Sequence, residues 1–385
     1  MKKLLLGSAA IAGLVLASAP AQAQMELTIG GHSKNYVGYN NQDDTTGGET
    51  RNIDMQRETE LHFNGESTLD NGLTFGFQVE TEVDGGDDAT TIEESYIYMS
   101  GTWGRLNAGS ENGAAYLLQV AAPSADSNID GIRQYINPVN YGTMGDGATA
   151  LNALTTGTGS WAGGVPAGQA DSDGFDYDND LTGVSEKLTY LTPNYNGFQA
   201  GVSYTFDVAD TNSTNPITTG AFGADDAAGI LGDAWELGAR YEGVMSNFGY
   251  AFGAGYTLVN VENETAAQDD VTEWNVGLDV DSGPFGIGAI YTEGDDGSAA
   301  REEVQTWVVG ADYTTGPFKF GASYFTQDDE TVGAVDLETD RYTGGVIYTA
   351  GPGLSFRGSV SHIQHEVGAT DADATSVMGG VQINF

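Results

Sequence analysis

The densest run of potential ligands in the chain is Asp171, Asp173, Asp176, Asp178 and Asp180. Carboxylates at that spacing offer the hard oxygen donors that Ca²⁺ takes, which makes the run the candidate metal site. A complete EF-hand register needs a Glu at its twelfth position, and none stands there. A solvated acidic loop is the simpler use of the same residues. The histidines are His32, His62, His362 and His365. Ser and Asp are abundant, so a Ser-His-Asp set can be drawn, but no spacing fixes its geometry. The glycines of Gly283–Gly288 fall in turn and strand patterns rather than at a helix start, so they do not form a phosphate cradle. No catalytic residue emerges and no enzyme is expected. The remaining chemistry is electrostatic: isolated Lys and Arg set among an excess of carboxylates.

That excess is large. The 385 residues carry 55 acidic and 13 basic side chains, a formal charge of −42. Nucleic acid is excluded as a partner, because no basic patch exists to neutralise phosphates. Such acidity can mean disorder, but 56 Gly, 19 Tyr and 15 Phe in repeated strand patterns argue for an ordered β protein. Lys2 and Lys3, the apolar run from Leu4 to about Ala19, and Ala21-Gln22-Ala23 form the three parts of a secretory signal peptide. Residues 1–23 are therefore expected to be cleaved, leaving 24–385 as a single domain. No later stretch approaches the roughly 20 apolar residues of a membrane helix. The chain has no cysteine, so its scaffold must be held by hydrogen bonds rather than disulfides.

The elements that would position these charges are strands. The C-terminal segment Thr375–Phe385 alternates Val377, Gly379, Val381, Ile383 and Phe385 against Ser376, Met378, Gly380, Gln382 and Asn384. A half-apolar edge at a chain end needs a partner. The first mature strand can supply it and close the sheet into a barrel. Sixteen strands are predicted, at about 27–39, 54–69, 73–83, 92–102, 104–110, 186–192, 198–207, 233–242, 248–258, 271–281, 285–293, 303–314, 318–327, 341–349, 354–366 and 375–385. Tight Gly-, Asn-, Asp- or Pro-containing turns alternate with long acidic connections at 40–53, 84–91, 111–185, 208–232, 259–270, 294–302, 328–340 and 367–374. Seven short turns on one rim and eight long loops on the other predict an all-β, 16-stranded antiparallel transmembrane β-barrel with short periplasmic turns and long outer loops.

An internal repeat supports this. Phe198–Tyr204, Tyr250–Tyr256, Phe285–Tyr291 and Phe318–Tyr324 share the pattern aromatic-x-apolar-Gly-x-x-Tyr. Rings six residues apart on a strand are separated by about 20 Å, enough to place one in each interfacial girdle of a thin apolar band. The alternative is a soluble barrel or sandwich whose rings face a core. Trp274, Val276, Leu278 and Val280 alternate with Glu273, Asn275, Gly277 and Asp279; Leu61 and Phe63 oppose Glu58, Glu60, His62 and Glu66. In a sixteen-stranded barrel the polar set must enclose water, because side chains cannot fill so wide an interior. Alternation then places Lys34, Arg105, Lys187, Arg240, Lys319, Arg341 and Arg357 on the lumen side, with Lys319 and Arg357 close to short turns. Arg57 shares the apolar face with Leu61 and Phe63.

The chain resembles the Gram-negative general porin family over nearly all of its mature length. The resemblance rests on Leu27-Thr-Ile-Gly-Gly, Gly104-Arg105-Leu106-Asn107-Ala108-Gly109 before the longest loop, Tyr190-Leu-Thr-Pro-Asn-Tyr-Asn-Gly-Phe198 after it, and the terminal Gly379–Phe385. It implies a homotrimer, each barrel with its own pore, and a third outer loop folded inward. It also implies that Phe385 is read by the barrel-assembly machinery. The third loop here, about 111–185, exceeds the family's usual inward loop, so part of it is a candidate outer lid. A constriction is expected between Lys34, Arg105, Lys187, Arg240 and Arg341 and the loop's Glu111, Asp126 and Asp130, with a transverse field between them. The expected function is passive diffusion of small hydrophilic solutes and ions across an outer membrane, with cation preference from the acidic interior. Expected partners are outer-membrane lipid, lipopolysaccharide bridged by divalent cations, and a second and third copy of the chain. No cofactor is required, Ca²⁺ being the candidate ligand of the Asp run. The alternatives are a substrate-specific channel and an outer-membrane barrel hydrolase.

Overall fold

A computed structural model describes residues 25–83, 91–123, 138–140, 143–146, 149–150, 177–208, 230–264, 269–295, 297, 301–331, 337–368 and 370–385. The expected signal peptide lies outside the described residues. Sixteen strands form one closed antiparallel ring. They are β1 (Glu26–Gln42), β2 (Ile53–Thr68), β3 (Thr74–Glu82), β4 (Thr91–Gly101), β5 (Gly104–Ser110), β6 (Glu186–Leu191), β7 (Phe198–Thr205) and β8 (Ile230–Met245). The ring continues with β9 (Phe248–Glu262), β10 (Val271–Ser282), β11 (Phe285–Asp295), β12 (Arg301–Thr315), β13 (Phe318–Thr331), β14 (Leu337–Gly351), β15 (Leu354–Val367) and β16 (Thr370–Asn384). A five-residue helix, α1 (Ala114–Leu118), and a ladder pairing Gly145–Asp146 with Thr149–Ala150 belong to the third loop.

Closure comes from the two ends of the chain, as the terminal alternation predicts. β1 pairs with β16 from His32↔Asn384 to Gln42↔Ala374. Beyond that register the Gly31 and Phe385 backbones exchange two hydrogen bonds of 3.0 and 3.1 Å. A ring of this kind has no free edge, so every strand's backbone polar groups find partners within it, a condition that hydrocarbon imposes. Short turns join β2–β3, β4–β5, β6–β7, β8–β9, β10–β11, β12–β13 and β14–β15, so both ends of the chain lie on the short-turn rim. Gly316 and Gly353 occupy the left-handed region in two of these turns, with φ of 55° and 71°, where a side chain would be strained.

One connection differs from expectation. Residues 367–374 are expected to form a long loop, but β15 runs to Val367 and β16 already begins at Thr370, with Gly368 in the left-handed region at φ 60°. Val367 pairs directly with Thr370. The segment Asp371-Ala372-Asp373-Ala374 does alternate, but with Ala as its inward residue and Asp as its outward one, a pairing with low strand propensity. Ala372 and Ala374 are fully buried inside the barrel. That burial holds a strand which local preference would not.

The barrel is apolar outside and polar inside. Trp235, Leu237, Phe252, Leu278, Ile287, Trp307, Val309, Phe320, Phe356 and Ile383 are exposed. Glu236, Thr257, Glu273, Asn275, Thr306, Thr343, Ser361 and Gln382 are buried. A soluble barrel would be built the other way round, so this polarity marks a membrane barrel. The repeat's aromatics form two outward belts. Near the long loops, Tyr204 meets Trp235 (4.8 Å between centroids), Trp274 meets Tyr291 (5.2 Å), Tyr291 meets Trp307 (4.5 Å) and Tyr324 meets Tyr342 (4.9 Å). Near the short turns, Tyr241 meets Tyr250 (5.8 Å), Phe285 meets Tyr313 (4.9 Å) and Phe318 meets Tyr348 (4.9 Å). Amphipathic rings at these two levels suit the two membrane–water interfaces.

Candidate functional site

After β5 the chain turns into the barrel. Gly113 precedes α1, and a β-carbon on it would fall 1.5 Å from the Glu236 carboxylate. The first amides of α1 are satisfied by the wall: Ala114 N–H donates to Ser203 Oγ at 2.8 Å and Ala115 N–H to Glu236 at 3.4 Å. From there to Pro123 the loop runs across a lane of glycines on five successive strands. A β-carbon on Gly238 would lie 2.1 Å from the Ala114 carbonyl oxygen, and one on Gly277 would lie 1.9 Å from that of Val120. On Gly310 it would lie 2.1 Å from the Pro123 carbonyl oxygen; on Gly253 and Gly288 it would meet the loop less tightly, 2.8 Å from Val120 N and 3.0 Å from Pro123 Cδ. Two of these, Gly253 and Gly288, are the glycine of the aromatic repeat. The repeat therefore serves both faces: its rings look outward and its glycine admits the loop.

The returning limb is fixed to the same wall. Thr292 donates to the Tyr177 carbonyl (2.5 Å), Asn179 donates to the Glu273 carbonyl (3.3 Å) and Thr257 donates to Asn179 (2.5 Å). Gln119 ties the two limbs together, donating to Asp178 at 2.6 Å and accepting from Asn275 at 3.0 Å. Lys187, only 1% exposed, donates to the Glu111 and Gly183 carbonyls at 2.5 and 2.6 Å, which clamps both roots of the loop.

A further part of the loop covers the outer end of the barrel. Ile290, Val308, Phe325, Ile363, Ala372 and Ala374 face inward on β11–β16 and are buried beneath Ala122, Met144 and Tyr177. This lid is latched to the first loop. Gly145 N–H donates to the Asp43 carbonyl (3.0 Å), and Thr45 N–H donates to the Thr143 carbonyl (2.9 Å). Asp44 accepts from Thr50 N–H (2.7 Å), Thr50 Oγ1 (2.9 Å), Gln42 (2.8 Å) and Thr143 (3.1 Å). Burial alone would raise the Asp44 carboxyl, but these hydrogen bonds outweigh it and hold the group below the ordinary carboxylate value.

The basic residues nominated from alternation are distributed unevenly. Lys34 is buried and paired with Glu58 at 2.8 Å. Arg341 is buried under the lid with its guanidinium 5.0 Å from the Phe325 ring centre. Arg105 is half-buried, 3.9 Å over Tyr98, and donates to Asn107 at 2.7 Å. Arg240 reaches the loop, donating to the Gln119 carbonyl (2.9 Å) and to Glu242 (2.6 Å). Lys319 pairs with Asp312 at 2.9 Å and Arg357 donates to Ser355 at 3.2 Å. Glu111 is buried and accepts from Asn107 at 2.9 Å. Arg57 is exposed on the outward face of β2. Asp126, Asp130, Asp171, Asp173 and Asp176 lie outside the described residues; Asp178 is buried against the wall.

The described packing of the loop falls mainly on β7–β16. The inner faces of β2–β4 carry instead a lane of half-buried carboxylates: Glu58, Glu60, Glu80 and Glu94. Register sets Glu60 opposite His32 and Glu80 opposite Glu94, with His62 opposite Glu80 between them. The i, i+2 spacing of Glu58, Glu60 and His62 is legible in the sequence; their convergence with Glu80 and Glu94 requires the strand register.

The family model described as Gram-negative porin matches residues 7–370. Among curated relatives, an outer membrane porin protein of Bordetella pertussis is 24% identical over 301 residues, 72% of this chain. An uncharacterised Rickettsia prowazekii protein is 27% identical over 134 residues, 34% of this chain. The chain spans 65% of the length of the first and 28% of the second. Among solved structures, an anion-selective porin from Comamonas acidovorans aligns over 94% of this chain and 100% of its own, with a TM-score of 0.62 and 16% identity. A loop-deletion mutant of the Vibrio cholerae outer membrane protein OmpT aligns over 94% and 99%, with a TM-score of 0.59 and 10% identity. Those likenesses show the fold. With a family model spanning nearly the whole chain, and a closed barrel whose outward face is apolar and belted by aromatic rings, the chain belongs to the Gram-negative porin family and is a multi-pass β-barrel of the outer membrane.

Proposed function

We propose that this porin is a water-filled channel for passive diffusion of small hydrophilic solutes and ions, with a preference for cations. It performs no reaction and needs no energy source or cofactor. The observation that carries the cation preference is the contrast between the two kinds of charge inside the barrel. Lys34, paired with Glu58, and Lys187 and Arg341 are buried, which leaves Arg105 and Arg240 as half-buried cations against the half-buried lane of Glu60, Glu80 and Glu94 on β2–β4. Fixed carboxylates on a narrowed aqueous path raise the local cation concentration and repel anions. The anion-selective Comamonas protein shares the fold at 16% identity, so selectivity is argued from this chain's own charges. Reversal potentials across planar bilayers in a KCl gradient test the reading: a potential of the sign for K⁺ permeation is expected, and anion preference would refute it.

The functional unit is a homotrimer in this reading. Among the described residues, the aromatic pairs of the outward belts run from Trp103–Tyr190 to Tyr348–Phe356. The outward faces of β1–β4 are instead dominated by exposed aliphatic side chains: Leu27, Ile29, Ile53, Met55, Ile92 and Ile97. A largely aliphatic face, which also carries Tyr39 and the charged Arg57, suits protein contact better than bare hydrocarbon. Mass measurement in detergent is expected to give three chains; a monomer would count against it. The exposed ring of Phe385 at the short-turn rim is where recognition by the barrel-assembly machinery would act. Acidic outer loops would hold divalent cations that bridge lipopolysaccharide, and the Asp171–Asp180 run would take Ca²⁺. Trimer stability unchanged by EDTA would argue against both.

A further inference from the structure

Away from the third loop's packing, nitrogen and oxygen donors converge at one place on the lumen wall. His32 on β1 is the cross-strand partner of Glu60 on β2, and His62 follows two residues later on the same face. The donor atoms of His32, Glu60 and His62 all lie within 4.8 Å of one another. His32 Nε2 stands 4.0 Å from Glu60 Oε2, while His62 Nε2 touches the other oxygen of the same carboxylate. The two imidazoles meet edge to face with centroids 6.3 Å apart. One carboxylate is thus flanked by two ring nitrogens.

Two further carboxylates touch this trio, and one of them, Glu58, meets the same His32 nitrogen and is itself paired with Lys34 at 2.8 Å. Glu58 Oε1 is 2.7 Å from His32 Nε2, and Glu80 Oε1 is 3.5 Å from His62 Nδ1. His62 Nε2 itself is buried and lies against Glu60. Metal-bound imidazoles characteristically present one nitrogen to the ion and the other to a carboxylate, which orients the ring. His62 has that arrangement, with Nε2 toward Glu60 and Nδ1 toward Glu80. The His62 side chain is 31% exposed, which leaves a path from the lumen.

We propose that His32, Glu60 and His62 form a binding site for a divalent d-block cation, with Zn²⁺ as the probe. Two imidazoles and a carboxylate match the N/O donor sets that Zn²⁺, Ni²⁺ and Cu²⁺ take, whereas Ca²⁺ and Mg²⁺ prefer oxygen alone. Zn²⁺ binding requires the Glu60 and His side chains to rotate until the donors stand at the roughly 2.0–2.2 Å ligand distances of zinc. The fourth position is left to water or to Glu58. A bound ion would add two positive charges to the acidic lane and so weaken the channel's cation preference.

The test uses the untagged full chain in detergent, stripped with EDTA and dialysed, titrated with ZnCl₂ in a calorimeter. One Zn²⁺ per chain is expected, with His32→Gln and His62→Gln each weakening binding about tenfold or more. Because an altered isotherm could also follow from misfolding, a second reading is taken with Co²⁺. The wild type should show the visible absorption of a low-symmetry N/O site, and the variants should lose it while keeping their far-ultraviolet β signal. A wild type that gives no heat, or variants that bind as the wild type does, overturns the site and identifies the trio as an ordinary His–carboxylate cluster. Neither readout requires conduction, so the site and the channel reading can fail separately. If both stand, Zn²⁺ added to the bilayer shifts the reversal potential toward zero in the wild type but not in His32→Gln.

Discussion

The ammonium of Lys187 donates to the backbone carbonyl of Glu111, 76 positions earlier in the chain, at 2.5 Å. The same nitrogen donates to Gly183 at 2.6 Å, so one buried cation holds the entry and the exit of the third loop together. The carboxylates of Glu111 and Glu236 contribute attraction to that charge. Lys187→Met should therefore strand buried carboxylates as well as free both roots of the loop. A loss of about 1–3 kcal/mol in equilibrium unfolding in detergent is expected, the usual penalty for leaving buried hydrogen-bonding groups unsatisfied. A loss below about 1 kcal/mol, the scale of an exposed pair, would contradict it.

The glycine lane predicts a change in current. Gly238 and Gly277 lie so close to the Ala114 and Val120 carbonyls that even a methyl group cannot be accommodated without movement. The wall is fixed by its ladder hydrogen bonds, so the loop must give way toward the lumen. Gly238→Ala and Gly277→Ala are expected to lower single-channel conductance, whereas Gly379→Ala, with open space around its β-carbon position, should leave it unchanged. Equal conductance in all three would show that the loop does not rest on the lane.

The latch between the first and third loops should respond to acid. Asp44 has a folded-state pKa below its ordinary value. Its contribution is therefore fully present above about pH 4 and is lost as pH falls through the depressed folded value. Hydrogen exchange at the Gly145 amide, which bonds to the Asp43 carbonyl, reports the latch. After correction for intrinsic rates, protection should fall below about pH 4 in the wild type. In Asp44→Asn it should be weak already at neutral pH and insensitive to acid. Unchanged protection in the variant would remove Asp44 from the latch.

Neutralising the carboxylate lane should reduce selectivity without narrowing the pore. Glu58→Gln, Glu60→Gln and Glu80→Gln together keep side-chain volume and remove three fixed charges. The reversal potential in a KCl gradient should move toward zero, and the difference from wild type should shrink at high salt as screening shortens to about 3 Å at 1 M. A triple variant as cation-selective as the wild type would locate the filter elsewhere.

Much of this protein follows from local pattern. Strand number, the alternation of short and long connections, the outward belts and the β1–β16 closure all come from period-two repetition and turn residues. Such patterns survive because each strand must present one face to hydrocarbon and the other to water along its whole length. The Ala372–Ala374 segment escaped that reading, since its inward residues are small and its outward ones acidic. Only contact with the lid gives them a reason to be there. The charges fared differently. Alternation places Lys34, Lys187 and Arg341 on the lumen side, but a side does not specify an environment, and all three are buried. Whether a cation meets water, a carboxylate or a covering loop depends on where the third loop lies, and that is decided by glycines spread over five strands from Gly238 to Gly310. The convergence of His32, Glu60, His62 and Glu80 is likewise a property of register between three strands. Residues within a strand declare their face by themselves; their neighbours across the sheet and above it exist only once the ring is closed.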